Sequence, residues 1–451
     1  MAFQHFDVFV IGTGTAGRNV AKECVAAGLK VGIADNREFG GTCSNRGCDP
    51  KKVLMGITEI IYKASKLKNK GITTLPEVSW EDAMAWKETF VDAIPAATEK
   101  DLEKLGITMY HQSPVFLDEN TLSVEGKTIT AAKIVIATGQ VPMELKIPGR
   151  SHALISDDFL NLEKLPKTMI FIGAGYIGME FAHIAARFGV KVTVMEFLPR
   201  PLMNFDEDIV NQLQKASEEL GIEFIFNAEV TEIEKLQKNF RVKALQNGKE
   251  ISAKAELVFN TAGRVPSIEG LDLEKGKVAY TKKGISVNEY LQNTTNKNVY
   301  ACGDVSDSAG FALTPVSAYE AGIVSANLLN GKNPVKIDYP LQPSVVFTLP
   351  NIASVGFSEK EAKEKGYNFT AEHKLVPEWF SSKRINAKVY AYKTLVDNKT
   401  GQILGAHLVG PEAGEVINLF TLAMNSKTDV KQLKKMLFAY PTWGNEIKGM
   451  V

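Results

Sequence analysis

Cysteine is scarce in this chain, with four among 451 residues, too few to staple a secreted disulfide scaffold. Net charge is absent too. The 52 Lys+Arg balance 52 Asp+Glu, which argues against a nucleic acid or membrane surface held by bulk electrostatics. No run reaches the roughly 18–20 uninterrupted apolar residues of a membrane span. The best stretch, 169–190, is broken by Glu180, His183 and Arg187. The N-terminus, MAFQHFDVFVIG, has no basic region ahead of its apolar run, so neither a signal nor a transit peptide is expected. These absences predict a cytoplasmic chain without nucleic-acid or membrane partners. Composition is ordinary for a globular protein, 45% hydrophobic and 23% charged, and the length suggests about three domains.

What is present is a duplication. Residues 6–35 read FDVFVIGTGTAGRNVAKECVAAGLKVGIAD and residues 167–196 read KTMIFIGAGYIGMEFAHIAARFGVKVTVME. Each is an apolar run, a G-x-G-x-x-G, a helical pattern, and a second apolar run ending in an acid. Gly12 to Asp35 and Gly173 to Glu196 both span 23 residues. In this context the first glycine makes a tight turn and the second lets backbone approach a pyrophosphate. The third lets the helix pack on its strand, with its N-terminus facing phosphate. A closing element also recurs, IVIATGQVP at 134–142 and LVFNTAGRVP at 257–266. Two dinucleotide-binding units are therefore expected. Residues 51–70 and 80–105 have helical patterns, 340–356 and 389–410 are strand-rich, and 414–425 and 430–437 read as helices. The C-terminal part carries no dinucleotide fingerprint and reads as a third, α+β domain.

Cys43 and Cys48 sit in the stretch GGTCSNRGCDPKK. On a regular helix residues five apart rise about 7.5 Å and sit ~140° round the axis, too far for a disulfide. A bridge needs a distorted turn, which Gly47 and Pro50 permit. A strained, accessible disulfide suits redox chemistry; the alternatives are zinc or two packed thiols. Zinc wants a second ligand pair, and none lies nearby, so no metal site is expected. Cys24 and Cys302 read as small buried hydrophobes. His407 reads as structural, and the other histidines as surface or satisfied core. Arg46 either solvates its loop or favours a cysteine thiolate.

These motifs, with ATG at 137–139, GAGYIGME at 173–180, AGRVP at 262–266, CGDV at 302–305 and LTPV at 313–316, resemble the class I pyridine nucleotide–disulfide oxidoreductases. That family includes glutathione reductase, dihydrolipoamide dehydrogenase and mercuric reductase. The resemblance implies an α/β fold of two Rossmann-like domains and a C-terminal α+β interface domain. FAD would occupy 1–145 and 265–335, NAD(P)H 146–264, and the interface 336–451 of a homodimer. FAD would meet Gly12, Gly14, Gly17, Asp35, Gly41, Thr42, Lys51, Thr138, Gly139, Asp304 and Thr314. The nicotinamide nucleotide would meet Gly173, Gly175, Tyr176, Gly178, Glu196 and Gly263, with Tyr176 as a movable lid. Cys48 would be the flavin-side sulfur and Cys43 the interchange thiol, with Lys51 paired to Glu180. Glu196, followed by FLPRPLM with Arg200 off the usual basic positions, predicts NADH over NADPH.

The chain departs from that family at its C-terminal signature, His-Pro-Thr-x-x-Glu. Here Tyr440 stands for the His, and Glu446 falls one residue late. Asp49 replaces the usual apolar residue after the second cysteine. A phenol is a poor base at neutral pH beside an imidazole, so slow turnover of small disulfides is expected. Three readings follow: reduction of a small or protein disulfide, reduction of quinones or metal ions by the flavin, or service as a lipoamide-dehydrogenase-like subunit of a multienzyme complex.

Overall fold

The computed structural model describes residues 4–331 and 333–451; residues 1–3 of the N-terminal reading lie outside it. The chain divides into two compact units. The first comprises residues 1–52, 85–143 and 264–339, and the second 53–84, 144–263 and 340–451.

In the first unit, the apolar run Gln4–Ile11 pairs in parallel with Val31–Ala34 and Lys127–Ile136. Thr108–Tyr110 and Val299–Ala301 extend the parallel sheet. Thr121–Val124 and Val115–Phe116 add an antiparallel edge. Strands buried on both faces need apolar residues at every position. Phe9 and Ile11 enter one core, Val8 and Val10 the other. The two closing elements, Gln140–Pro142 and Arg264–Pro266, pair antiparallel with each other.

In the second unit, Thr168–Ile172 runs parallel between Lys191–Met195 and Leu257–Asn260, with Glu223–Ile225 outside. An antiparallel meander, Ala228–Lys235, Phe240–Gln246 and Lys249–Ala255, follows. Its second turn is Asn247-Gly248, both at positive φ (50° and 78°), as a two-residue hairpin requires. The C-terminal part is a five-stranded antiparallel sheet in the order Ser344–Val346, Asn351–Gly356, Ile403–Gly410, Ala391–Asp397, Phe369–Leu375. The helix Ala413–Asn425 packs Val416, Ile417 and Phe420 into its core.

Three boundaries differ from the sequence reading. The helix expected over 80–105 is two, Trp80–Val91 and Ile94–Lys104, because Pro95 lacks an N–H and belongs in a first helical turn. The helix expected from 51 starts earlier, at Cys48, and stops at Lys66. The meander and the edge strand Phe369–Leu375 were not anticipated.

Candidate functional site

The two glycine loops repeat each other at atomic detail. Gly12 and Gly173 have φ of 109° and 106°. A Cβ on Gly12 would sit 2.3 Å from the Ala137 carbonyl oxygen, and one on Gly173 2.5 Å from that of Thr261. A Cβ on Gly17 would sit 2.0 Å from the Gly12 oxygen, and one on Gly178 2.2 Å from the Gly173 oxygen. The middle glycines are the open ones: Gly175 faces nothing within 4 Å, and Gly14 only the Gly41 Cα at 4.0 Å. Tight first and third glycines around an open second one are what pyrophosphate approach requires. Gly14 and Gly175 precede the helices Thr15–Ala26 and Tyr176–Arg187, neither capped by a side chain. Their first N–H groups therefore face the open side, where an anion fits.

The acids at the ends of the second strands also match. Asp35 Oδ2 accepts from Thr13 N at 2.7 Å and Oδ1 from Arg37 N at 3.1 Å. Glu196 Oε2 accepts from Ala174 N at 2.6 Å and Oε1 from Leu198 N at 2.8 Å. Each acid is thus locked to its own glycine loop. Arg200 donates to the carbonyls of Pro201, Leu202, Met203 and Phe205 at 3.1–3.2 Å, so its guanidinium holds its own loop. Gly263, at φ 136°, has open space at its Cα.

The cysteine pair lies in the first unit. Gly40 and Gly41 have φ of 121° and 77°, and a Cβ on Gly41 would collide with the Gly14 Cα at 2.3 Å. The short helix Gly41–Arg46 carries Cys43, and Gly47 breaks it at φ −143°, ψ −110°. Cys48 opens the helix Cys48–Lys66. A Cβ on Gly47 would lie 2.8 Å from the Thr42 carbonyl oxygen and 3.3 Å from the Cys43 Cα, so the turn has no room for a side chain. Both residues are free thiols. The Thr314 hydroxyl donates to Cys43 Sγ at 3.2 Å and lies 3.7 Å from Cys48 Sγ.

The pair is electrostatically unequal. The Cys43 thiol's hydrogen bond pulls Cys48 down to about 6, against burial, with Thr314 and Lys51 helping and Asp49 opposing. Cys43 is pushed up by that same bond, by burial and by the charges of Cys48 and Asp49, with Thr314 pulling the other way. Arg46 is buried and donates to Glu38 at 2.9 Å, while Lys51 is the cation that lowers Cys48.

Around the pair, Asp304 Oδ1 accepts from Ser317 Oγ at 3.3 Å. Burial pushes Asp304 up, opposed by Ser317 and Arg264. Thr138 Oγ1 donates to the Ser267 carbonyl at 2.6 Å, and Gly139 O accepts from Ser267 N at 2.9 Å. Gly139, at φ 67°, has open space at its Cα. Thr42 is exposed. This set of open glycines, polar groups and paired thiols fits FAD.

In the second unit Glu180 is buried and accepts from Phe347 N at 2.8 Å, while Tyr176 is half exposed at the start of its helix. His183 belongs to no sequence motif. It is buried, takes the Leu349 N–H on Nδ1 at 3.2 Å and so offers Nε2 to Ser217 at 2.9 Å. Tyr440 and Glu446 are not brought together. Tyr440 is 75% exposed, its ring 6.5 Å from that of Phe380. Glu446 accepts from Ser381 N at 3.3 Å and helps burial push up the phenol of Tyr390. Among the described residues no hydrogen bond joins Tyr440 to Glu446, and no group of three His, Cys, Asp or Glu is set to hold a metal. Nor is any helix of the described residues long and apolar enough to cross a membrane.

The family described as pyridine nucleotide-disulphide oxidoreductase matches residues 6–321, and its dimerisation domain matches 342–451. The chain is 32% identical to a mercuric reductase of Lysinibacillus sphaericus, over 98% of this chain and 82% of that one. It is 31% identical to a glutathione reductase of a Nostoc species, over 99% of each. Among solved structures it resembles the HOCl-induced flavoprotein disulfide reductase RclA of Escherichia coli, in its Cu(II) complex. There the TM-score is 0.88, with 26% identity over 98% of both chains. These matches do not favour the quinone- or metal-reducing reading, or the multienzyme-subunit reading, over disulfide reduction.

Proposed function

The chain belongs to the pyridine nucleotide–disulphide oxidoreductase family, and we propose that its Cys43–Cys48 pair carries electrons from NADH, by way of FAD, to a disulfide substrate. As a family member it is an FAD-dependent disulfide oxidoreductase that uses NAD(P)H, and the dimerisation domain supports a homodimer. The carrying observation is the unequal thiol pair, brought together by Gly47 and touched by one hydroxyl, Thr314.

Bound FAD supplies the two-electron redox chemistry between a nicotinamide hydride and sulfur. Gly12, Gly14, Gly17 and Asp35 would hold it through the first glycine loop, with Gly41, Thr42, Lys51, Thr138, Gly139, Asp304 and Thr314 around its remainder. Gly173, Gly175, Gly178, Glu196 and Gly263 would hold the nicotinamide nucleotide, under Tyr176 and beside Glu180. Cys48, pulled down to about 6, is the sulfur that stays a thiolate at neutral pH. Cys43 hands its proton to the hydrogen-bonded Cys48 thiolate as its sulfur attacks the substrate disulfide, forming a mixed disulfide; the expelled substrate thiolate takes that proton from Cys48 and leaves as one thiol. Cys48 then attacks Cys43 Sγ, releasing the second thiol and closing the Cys43–Cys48 disulfide. NADH supplies the electron pair and one proton from solvent completes the balance: RSSR, NADH and H⁺ give two RSH and NAD⁺.

NADH is preferred over NADPH on two grounds. Glu196 would repel a 2′-phosphate, and Arg200 is committed to four carbonyls of its own loop. Protein or small-molecule disulfides are the acceptor class, taken without a histidine proton carrier. Steady-state turnover of a disulfide panel with NADH or NADPH tests this reading. Turnover is expected with NADH, lost in Cys43→Ser and in Cys48→Ser. Undiminished disulfide reduction by either variant would overturn it, and a higher kcat/KM with NADPH would overturn the cofactor choice.

A further inference from the structure

The helix Thr314–Leu329 carries three polar side chains at spacings of three, so they share one face. Thr314 touches both sulfurs and Ser317 the Asp304 carboxylate. The third, Glu320, belongs to none of the motifs. It is 1% exposed. Its Oε2 accepts from Gly303 N at 2.6 Å and Ser306 Oγ at 3.3 Å. Its Oε1 accepts from Ser308 Oγ at 2.7 Å and from the Tyr339 hydroxyl. Among the described residues no basic side chain pairs with it. A buried carboxylate without a cation is costly, and an aliphatic side chain would pack the helix as well. What a carboxylate alone offers is four acceptor positions at once.

Three of the four bonds come from one loop, and the fourth, from Tyr339, comes from beyond the helix. Gly303 stands at φ 74°, and its N–H is held by Glu320 immediately before Asp304. The single Ser306 hydroxyl proton is shared between Glu320 Oε2 and the Gly303 carbonyl at 3.0 Å, and Gly310 N donates to Ser308 Oγ at 3.2 Å. A Cβ on Gly310 would lie 2.7 Å from Glu320 Oε1, so the loop wraps the carboxylate closely. We propose that Glu320, assisted by Tyr339, is a positioning residue of the FAD site. Its carboxylate fixes the loop 303–308 on the same helix that contacts the thiols, and thereby the direction in which Asp304 faces the cofactor.

This rests on the reading of Asp304 as a cofactor ligand, and the test separates the two. Kd for FAD is measured on the apoprotein by flavin fluorescence, with Glu320→Met, which keeps length but accepts nothing, in wild-type and Asp304→Asn backgrounds. Glu320→Met should weaken FAD binding about 10-fold in the wild type and less than about 2-fold beside Asp304→Asn, since coupled residues are not additive. Glu320→Gln should stay within about 3-fold of wild type. Its amide oxygen can keep the Gly303 N–H, and the hydroxyls of Ser308 and Tyr339 can turn to accept. Tyr339→Phe, which removes one donor and no volume from the helix, should show the same coupling at a smaller size. Equal factors in both backgrounds, or no effect in the wild type, would overturn the proposal. If Asp304→Asn alone leaves the Kd unchanged, the assignment of Asp304 falls and takes the proposal with it.

Discussion

At the residue scale the chemistry depends on a few positions where a side chain must be absent or charged. Gly47 is one. Its φ is ordinary for any residue, so the constraint is space, with the Thr42 carbonyl 2.8 Å from where a Cβ would stand. Gly47→Ala should push the helices on either side of it apart and cut disulfide turnover at least ~10-fold, read by steady-state assay, while FAD stays bound. Asp49 is a second such position, since its charge raises both thiols. Asp49→Asn should move the Cys48 titration to lower pH, and an upward move would contradict the account. Cys24 and Cys302 are pushed up by burial, Cys24 to about 11. Alkylation of the native, reduced protein at neutral pH should therefore label Cys48, the thiol pulled down to about 6, and spare those two, as peptide mass spectrometry would show. The pair was legible in the sequence because Gly47 and Pro50 flag a distorted turn. The fate of Arg46 was not, because its partner Glu38 lies outside any motif. Glu320 was silent for the same reason: donors from the 303–308 loop and from Tyr339 converge on it only after folding.

At the scale of elements, period and punctuation carried most of the information. The glycine loops announce strand, turn and helix together, and their boundaries are the ones the motif implies. Pro95 divides a long helical pattern in two, a signal available in the sequence and outweighed there by the unbroken periodicity. The edge strand Phe369–Leu375 alternates mostly polar residues and is exposed, so it offers little apolar pattern; its pairing with Ala391–Asp397 decides it. That neighbouring strand also buries Lys393 against Asp206 at 3.0 Å, Asp208 at 2.8 Å and Glu359 at 2.6 Å. Burial opposes the ammonium, but these three acids push its pKa up. Removing one member leaves buried charge uncompensated. Lys393→Met should cost about 3–5 kcal/mol by denaturant unfolding, with the spectrum of the bound flavin unchanged. A loss under about 1 kcal/mol would mean the acids are well solvated without it.

At the scale of the whole molecule, a duplicated dinucleotide unit and a dimerisation domain set what the protein can do. Tyr440 stands exposed, and Glu446 accepts from Ser381 N with one oxygen while its charge raises the Tyr390 phenol. Tyr440→His should therefore raise turnover of small disulfides by less than ~10-fold, short of the ~10²–10⁴ a well-held acid–base group supplies; a full gain would show that Glu446 is not needed to orient the ring. The most direct test of the central claim, that Cys43 and Cys48 carry the electrons, is anaerobic reduction by one equivalent of NADH followed by a pH titration of the long-wavelength thiolate–flavin absorbance. A folded-state pKa lowered to about 6 means the thiolate exists above that pH and is lost below it. The account predicts a band present at neutral pH, fading as pH falls through about 6, retained in Cys43→Ser and absent in Cys48→Ser. A flavin bleached by NADH without any such band, or a band that survives Cys48→Ser, would contradict it.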